Sequence, residues 1–221
     1  MVDITDLKSV GCKPLPVQVW PRVPFILSKE MYMFIQTEFT PNPNAIKFFP
    51  NISVSPNQPM HFSNLDEAKG KSSLVVQLFN INNVKSVFLG SDFITITKEE
   101  ESDWLVLKPE ILMIIMDHFT SGFTVFDGQN NISTDKSTVN NFEEMSEIEQ
   151  QIVEIIETRV RPSVAMDGGD IIYRGFENGV VKLELRGACY GCPSSTITLK
   201  NGIESMLKHF IPEVESVEAV D

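Results

Sequence analysis

Cys189 and Cys192 are the residues with the clearest chemical content in the chain. They sit in Gly187-Ala188-Cys189-Tyr190-Gly191-Cys192-Pro193-Ser194-Ser195, between a strand pattern and a helix pattern. Two thiols in so short a loop can aim at one metal centre or at each other, and Gly187 and Gly191 let the backbone bend closely around it. A helix that begins just after the second cysteine stabilises negative charge at its N-terminus, which favours thiolate. Thiolate pairs suit iron–sulfur, zinc or copper rather than magnesium. Three chemistries are therefore open at this point: an iron–sulfur cluster, zinc, or thiol–disulfide exchange. A buried pair without chemistry is the fourth reading.

Two cysteines are half of an ordinary site. Structural zinc takes four protein ligands, and a [4Fe–4S] cluster commonly takes four thiolates. The third cysteine, Cys12, lies in a different segment and reads as an incidental thiol. A second copy of the chain is the simplest completion, with each copy supplying Cys189 and Cys192 across a twofold axis. Such a centre would lie at a surface, where hand-over to another protein is physically feasible.

Other candidates are weaker. Asp167-Gly168-Gly169-Asp170 reads as a tight acidic turn, because it lacks the longer oxygen-ligand series of a calcium loop. His61, His118 and His209 are far apart in sequence and read as surface or locally bonded histidines. Ser194 and Ser195 read as helix caps. Tyr190 reads as a residue of the loop's rim or of its packing. No phosphate loop is present, so nucleotide binding has no support.

These residues must be positioned by a larger frame. The chain has 221 residues, 42% of them hydrophobic and 22% charged, which suits one large or two small globular domains. Net charge is −12, which repels a phosphate backbone and argues against nucleic-acid binding. No apolar run is long enough to span a membrane. Three cysteines fit a reducing compartment better than a secreted disulfide scaffold.

Residues 1–32 carry Pro14, Pro16, Pro21 and Pro24, with Lys8, Lys13, Arg22 and Lys29 set against Asp3, Asp6 and Glu30. They read as a disordered extension and make a poor mitochondrial leader, which is expected to be Arg-rich and poor in acid. The expected location is therefore bacterial cytoplasm, with the mitochondrial matrix as alternative.

From Met33 the pattern tightens. Met33–Glu38 and Ala45–Phe49 read as strands around the turn Thr40-Pro41-Asn42-Pro43-Asn44. Leu65–Asn80 reads as one helix despite Gly70, and Val84–Leu89 with Phe93–Thr97 as a hairpin. Pro109 reads as first-turn proline of a buried helix over Ile111–Phe119, with Gly122 as its stop. Residues 33–122 thus form one small domain, and the Ser/Thr/Asn-rich stretch 123–142 forms a flexible linker. The second domain, 143–221, reads as a helix from Glu143 towards Val160, with Pro162 ending the pattern or marking its last turn, strands Ile171–Phe176 and Val180–Leu185 joined by Glu177-Asn178-Gly179, a helix from Ser194 or Ser195 towards His209, and a last strand over Val214–Val220. The fold class is mixed α/β (α+β): two small helix–sheet domains joined by a linker.

With those residues laid out, the chain resembles the Nfu family. The second domain is similar to the NifU-like domain through Arg161-Pro162, Asp167-Gly168-Gly169-Asp170, the cysteine loop and Thr198-Leu199-Lys200-Asn201-Gly202-Ile203-Glu204. The first is similar to the Nfu N-terminal domain through Met33-Phe34-Ile35-Gln36-Thr37-Glu38, Thr40-Pro41-Asn42-Pro43-Asn44, Lys47-Phe48 and Asp92-Phe93-Ile94-Thr95. Relatives commonly carry glycine after Pro50, where this chain has Asn51. The resemblance implies an iron–sulfur cluster scaffold or carrier and not an enzyme. It implies a labile [4Fe–4S] cluster held by Cys189 and Cys192 of two subunits in a homodimer. The implied partners are apo iron–sulfur recipients and upstream cluster donors. A thiol–disulfide oxidoreductase and a structural zinc module remain the rival readings.

Overall fold

A computed structural model of the chain describes residues 34–55, 59–127, 145–190 and 193–220. The readings of residues 1–33, of most of the linker and of Gly191 and Cys192 fall outside the described residues.

The first domain is a five-stranded antiparallel sheet in the order β1-β2-β5-β4-β3 with helices on one face. Its strands are β1 (Gln36–Phe39), β2 (Ala45–Phe49), β3 (Met60–Phe62), β4 (Val84–Leu89) and β5 (Ile94–Lys98). Side chains alternate between faces along each strand. One face carries Ile46, Phe48, Phe62, Val87, Leu89, Ile94 and Ile96, all buried in a single core with Leu74, Leu78, Ile111 and Ile115 of the helices. Asn51 takes φ 57°, a left-handed conformation that asparagine tolerates, and its Nδ2 donates to the Phe34 carbonyl at 2.9 Å. That is how this chain does without glycine there.

Four local expectations change. β1 starts later than the Met33–Glu38 pattern. The strand β3 went unread, because three residues between Pro59 and Ser63-Asn64 leave no alternation to detect. The single helix expected over Leu65–Asn80 is two, α1 (Leu65–Ala68) and α2 (Ser73–Phe79). Gly70 turns the chain at φ 73°, and Ser72 caps α2 afresh by accepting from Val75 N. Helix α3 (Trp104–Thr120) begins earlier than expected, capped by Asp103, so Pro109 lies inside it. It buries Leu107, Ile111, Ile115 and Phe119 while Leu105, Val106 and Met113 face water. Gly122, at φ 75°, follows its end. The first residues read as linker pack onto this domain: Val125 joins the core, and its carbonyl accepts from Ser72 Oγ.

The second domain is a three-stranded sheet, β6-β7-β8, with β6 (Gly169–Glu177) and β7 (Val180–Gly187) antiparallel and β8 (Ser216–Val220) parallel to β7. Asn178 and Gly179 both have positive φ, the two-residue turn that matches the twist of a hairpin. Helix α4 (Glu147–Ile155) starts with a capping box between Ser146 and Glu149. Pro162 does not end the helical run. A π turn over Ile156–Val160 leads into α5 (Arg161–Met166), and the Arg161 N–H reaches back to the Ile156 carbonyl. A wider turn next to a residue with no N–H lets the helix pass the proline that would otherwise break it. Helix α6 (Pro193–Phe210) crosses the sheet with proline at its first position. Ile152, Ile156, Val164, Ile171, Leu183, Ile203 and Leu207 form the core. Among the described residues, no helix is long and apolar enough to cross a membrane.

Candidate functional site

The cysteine loop leaves the end of β7 at Gly187 and enters α6 at Pro193, as the sequence pattern requires. Gly187 takes φ 67°, and a Cβ there would lie 2.6 Å from the Gly168 carbonyl oxygen and 2.8 Å from Gly169 Cα. The next residue fixes the turn: Ala188 N donates to the Gly168 carbonyl at 3.1 Å. Cys189 is buried in the core of the second domain, at 4% exposure. A Cβ on Gly169 would lie 2.7 Å from its Sγ and 2.6 Å from the Arg186 carbonyl oxygen. The acidic turn expected at Asp167–Asp170 is therefore the floor of the cysteine loop, and its glycines are required by that close approach. The structure places Cys189 there and leaves Cys192 outside the described residues.

Asp170 is bound to a side chain of the same domain. It is buried, and Arg161 grips it with two bonds, Nε to Oδ1 at 2.7 Å and a terminal nitrogen to Oδ2 at 3.0 Å. The same guanidinium reaches Glu157 at 2.7 Å. Bonding to Asp170, partly offset by burial, raises the pKa of Arg161 above its ordinary value. The pair ties α5 to the start of β6 and so holds the glycine floor.

The second face of the first domain's sheet is the other wall. Its strand register lines up Glu38, Lys47, Thr95, Phe88 and His61 in one row across the sheet. From Lys47 to His61 that row is covered by the cysteine loop and its floor, while Glu38 at its end is exposed. Lys47 Nζ donates to the carbonyls of Ala165 (3.2 Å) and Met166 (3.0 Å), the last carbonyls of the helical run, where the backbone dipole favours a cation. A Cβ on Gly168 would meet Lys47 Cγ at 2.9 Å and Thr95 Oγ1 at 3.0 Å, and one on Gly187 would meet Phe88 at 3.1 Å. The rings of His61 and Tyr190 lie 5.8 Å apart. Beside the row, Asn42 Nδ2 donates to the Ala188 carbonyl at 2.9 Å, a buried bond across 146 residues of chain. Thr40 and Asn44 brace Asn42: Thr40 Oγ1 donates to its carbonyl at 2.9 Å, and Asn44 N donates to its Oδ1 at 2.9 Å.

His61 is not the surface or bonded histidine expected. Both ring nitrogens are buried and lack a hydrogen-bond partner. Burial pushes its pKa down to about 4, with Arg186 adding to the shift and Glu67 and Glu184 opposing it. It is therefore neutral at pH 7 and packs as an aromatic ring. His118 is buried with Nε2 3.1 Å from the Thr124 carbonyl, which fits the local reading. Burial lowers the Lys47 pKa, against the pull of Glu38, Asp92 and Asp167.

A cavity of about 540 Å³ opens between the two walls, lined by Pro41, Asn42, Val160, Cys189, Leu199 and Ile203 among others. No group of three His, Cys, Asp or Glu among the described residues is placed to hold a metal ion. Asn42, Lys47 and His61 are the site residues that sequence reasoning missed. The turn containing Asn42 was legible as a turn, but its partner was not.

Comparisons with known proteins match two stretches of the chain. The family model described as "Scaffold protein Nfu/NifU N terminal" matches residues 35–122, and the "NifU-like domain" model matches 152–218. The human "NFU1 iron-sulfur cluster scaffold homolog, mitochondrial" is 52% identical over 190 residues, covering 86% of this chain and 72% of that protein. The Drosophila ananassae protein of the same description is 46% identical over 195 residues, covering 88% of this chain and 66% of that one. A solution NMR structure of a NifU-like protein from Saccharomyces cerevisiae is 30% identical, covers 44% of this chain and 87% of that one, and superposes with a TM-score of 0.40. The relatives' mitochondrial designation overturns the expectation of bacterial cytoplasm. That expectation rested on the composition of residues 1–32, and a preference for reducing conditions does not separate the two compartments.

Proposed function

Because the chain belongs to the Nfu family of iron–sulfur cluster scaffold proteins, we propose that it carries a labile [4Fe–4S] cluster between two copies of itself and delivers it to apo-proteins in mitochondria. Cys189 and Cys192 of each copy are the ligands. The observation that carries this reading is a Cys-x-x-Cys pair on a strand-to-helix loop, in a chain 52% identical to a protein named as an iron–sulfur scaffold. One copy offers two thiolates where a cluster takes four, so a second copy completes the set. The cluster is cargo, and the domain's work is to hold it weakly enough to release.

Transfer follows from ligand exchange. An incoming recipient thiolate displaces one Cys sulfur from an iron at a time, so the cluster is never without ligands. Exposure at a subunit seam gives the recipient access. The helix that begins directly after Cys192 stabilises the thiolates left behind.

Anaerobic reconstitution tests the assignment. Loaded protein should contain about four iron and about four sulfide per pair of chains, and Cys189→Ala or Cys192→Ala should abolish retention while the apo fold persists. A double variant that still loads fully would overturn it. Iron-free protein that instead cycles a disulfide, or that holds stoichiometric zinc after anaerobic isolation, would establish one of the rival chemistries.

A further inference from the structure

The Thr40–Asn44 turn supplies no cluster ligand, yet one of its long-range bonds ends on Ala188 of the cysteine loop. Asn42 Nδ2 donates to the Ala188 carbonyl in a buried setting, and Asn42 itself is 4% exposed. Asn42 is pre-set for this by the Asn44 N–H on its Oδ1 and by Thr40 on its carbonyl. Lys47 adds two bonds to Ala165 and Met166, and His61 closes against Tyr190. The cysteine loop is therefore fastened from outside its own domain, with Cys189 at 4% exposure. A cluster shared by two copies needs both thiolates to face a partner. Cys189, buried as it is, does not.

We propose that the Thr40–Asn44 turn and the sheet row from Lys47 to His61 form an internal lid on the cysteine loop, and that this docking and cluster-bridged pairing of two copies exclude one another. The occupant of the sheet's second face is the chain's own loop. Loading requires Asn42 to release Ala188 and Lys47 to release the end of α5. The lid protects the Cys189 thiol of the cluster-free protein and sets a threshold for loading. The second half of the proposal rests on the cluster reading above, and the first half does not.

Thiol alkylation of the full-length apo chain separates the two halves. In a Cys12→Ser, Cys192→Ser background, N-ethylmaleimide reports on Cys189 alone. Breaking a buried hydrogen bond shifts an opening equilibrium by about tenfold, so Asn42→Ala should raise the alkylation rate of Cys189 by about tenfold. Lys47→Met, acting at the other end of the row, should raise it similarly. Amide exchange in β2 and β5 shows whether each variant keeps its sheet. Wild-type rates in both folded variants would overturn the lid. If either variant fails to fold, the native background protein decides: Cys189 should react at least about a hundredfold more slowly than in urea, and equal rates would overturn the lid. In the wild-type chain, anaerobic loading with iron and sulfide should shift the Asn42 side-chain amide resonance, and a loaded protein with that resonance unmoved would overturn the exclusion. A chain that cannot be loaded at all would defeat the cluster reading while leaving the alkylation result standing.

Discussion

Arg161 and Asp170 form a two-point ion pair, with Asp170 retaining only 4% of its side-chain exposure and Arg161 32%. The pair joins the helix that follows the π turn to the strand that carries Gly169, so a charge contact holds the floor on which Cys189 packs. Removing one partner leaves a buried charge uncompensated. Arg161→Met should cost on the order of 3 kcal/mol, the low end for broken buried pairs because Arg161 keeps about a third of its side chain in water. Urea unfolding of the apo chain measures this. The double variant Arg161→Met, Asp170→Leu should recover most of the loss, since an apolar pair has no charge to strand.

Adding a methyl group to two glycines should give opposite results. At Gly169 the new Cβ would sit 2.6 Å from a backbone oxygen and 2.7 Å from Cys189 Sγ. Backbone cannot give way cheaply, so Gly169→Ala should destabilise by about 1–3 kcal/mol and weaken iron retention by displacing the thiol. At Gly202, inside α6, a Cβ meets nothing within 4 Å. Gly202→Ala should stabilise by about 0.5–1 kcal/mol through helix propensity and leave retention unchanged. Thermal melts and iron assays on both variants check the pair.

His61 gives the docked arrangement a pH dependence. Its folded pKa of about 4 lies below the usual histidine value of 6.5, so between those values the unfolded chain binds the proton and the folded chain does not. The stability it contributes is complete above pH 6.5 and is lost as pH falls towards 4, by at most about 1.4 kcal/mol per unit. Unfolding free energies at pH 7, 6 and 5 should fall less steeply for His61→Phe than for the wild type. Parallel curves would show that the ring is not held neutral.

Tyr173 ties the start of α4 to β6, with its hydroxyl donating to Glu149 Oε1 at 3.0 Å. Glu149 also accepts from Ser146 N, and that backbone bond is the first cause of its lowered pKa. Burial, with the Glu149 bond next, raises the Tyr173 pKa well above its ordinary value. Tyr173→Phe should therefore cost about 1 kcal/mol in chemical denaturation, with increased amide exchange in the first turn of α4.

The strand–loop–helix frame of the cysteine pair was legible because its information is local. Alternating valines and leucines in β7, glycines at the bend and proline at the start of α6 lie within one stretch of chain. The Asn178-Gly179 hairpin was legible for the same reason, since left-handed backbone at both positions selects those residue types. The π turn before Pro162 and the break at Gly70 were not. In each case a proline or glycine had more than one backbone solution, and packing of the neighbouring helix chose among them.

By itself the sequence determined the chemistry: which thiols exist, their spacing, the acidic balance of the chain and the two helix–sheet patterns around them. Tertiary structure alone decided what those thiols lean on. The contacts of Asn42 with Ala188 and of Lys47 with Ala165 and Met166 span 146, 118 and 119 residues. No periodicity or cap can encode a partner at such a separation. It is fixed only when the first sheet, with one face already filled, buries its second face against the loop that leaves β7 and the turn beneath it.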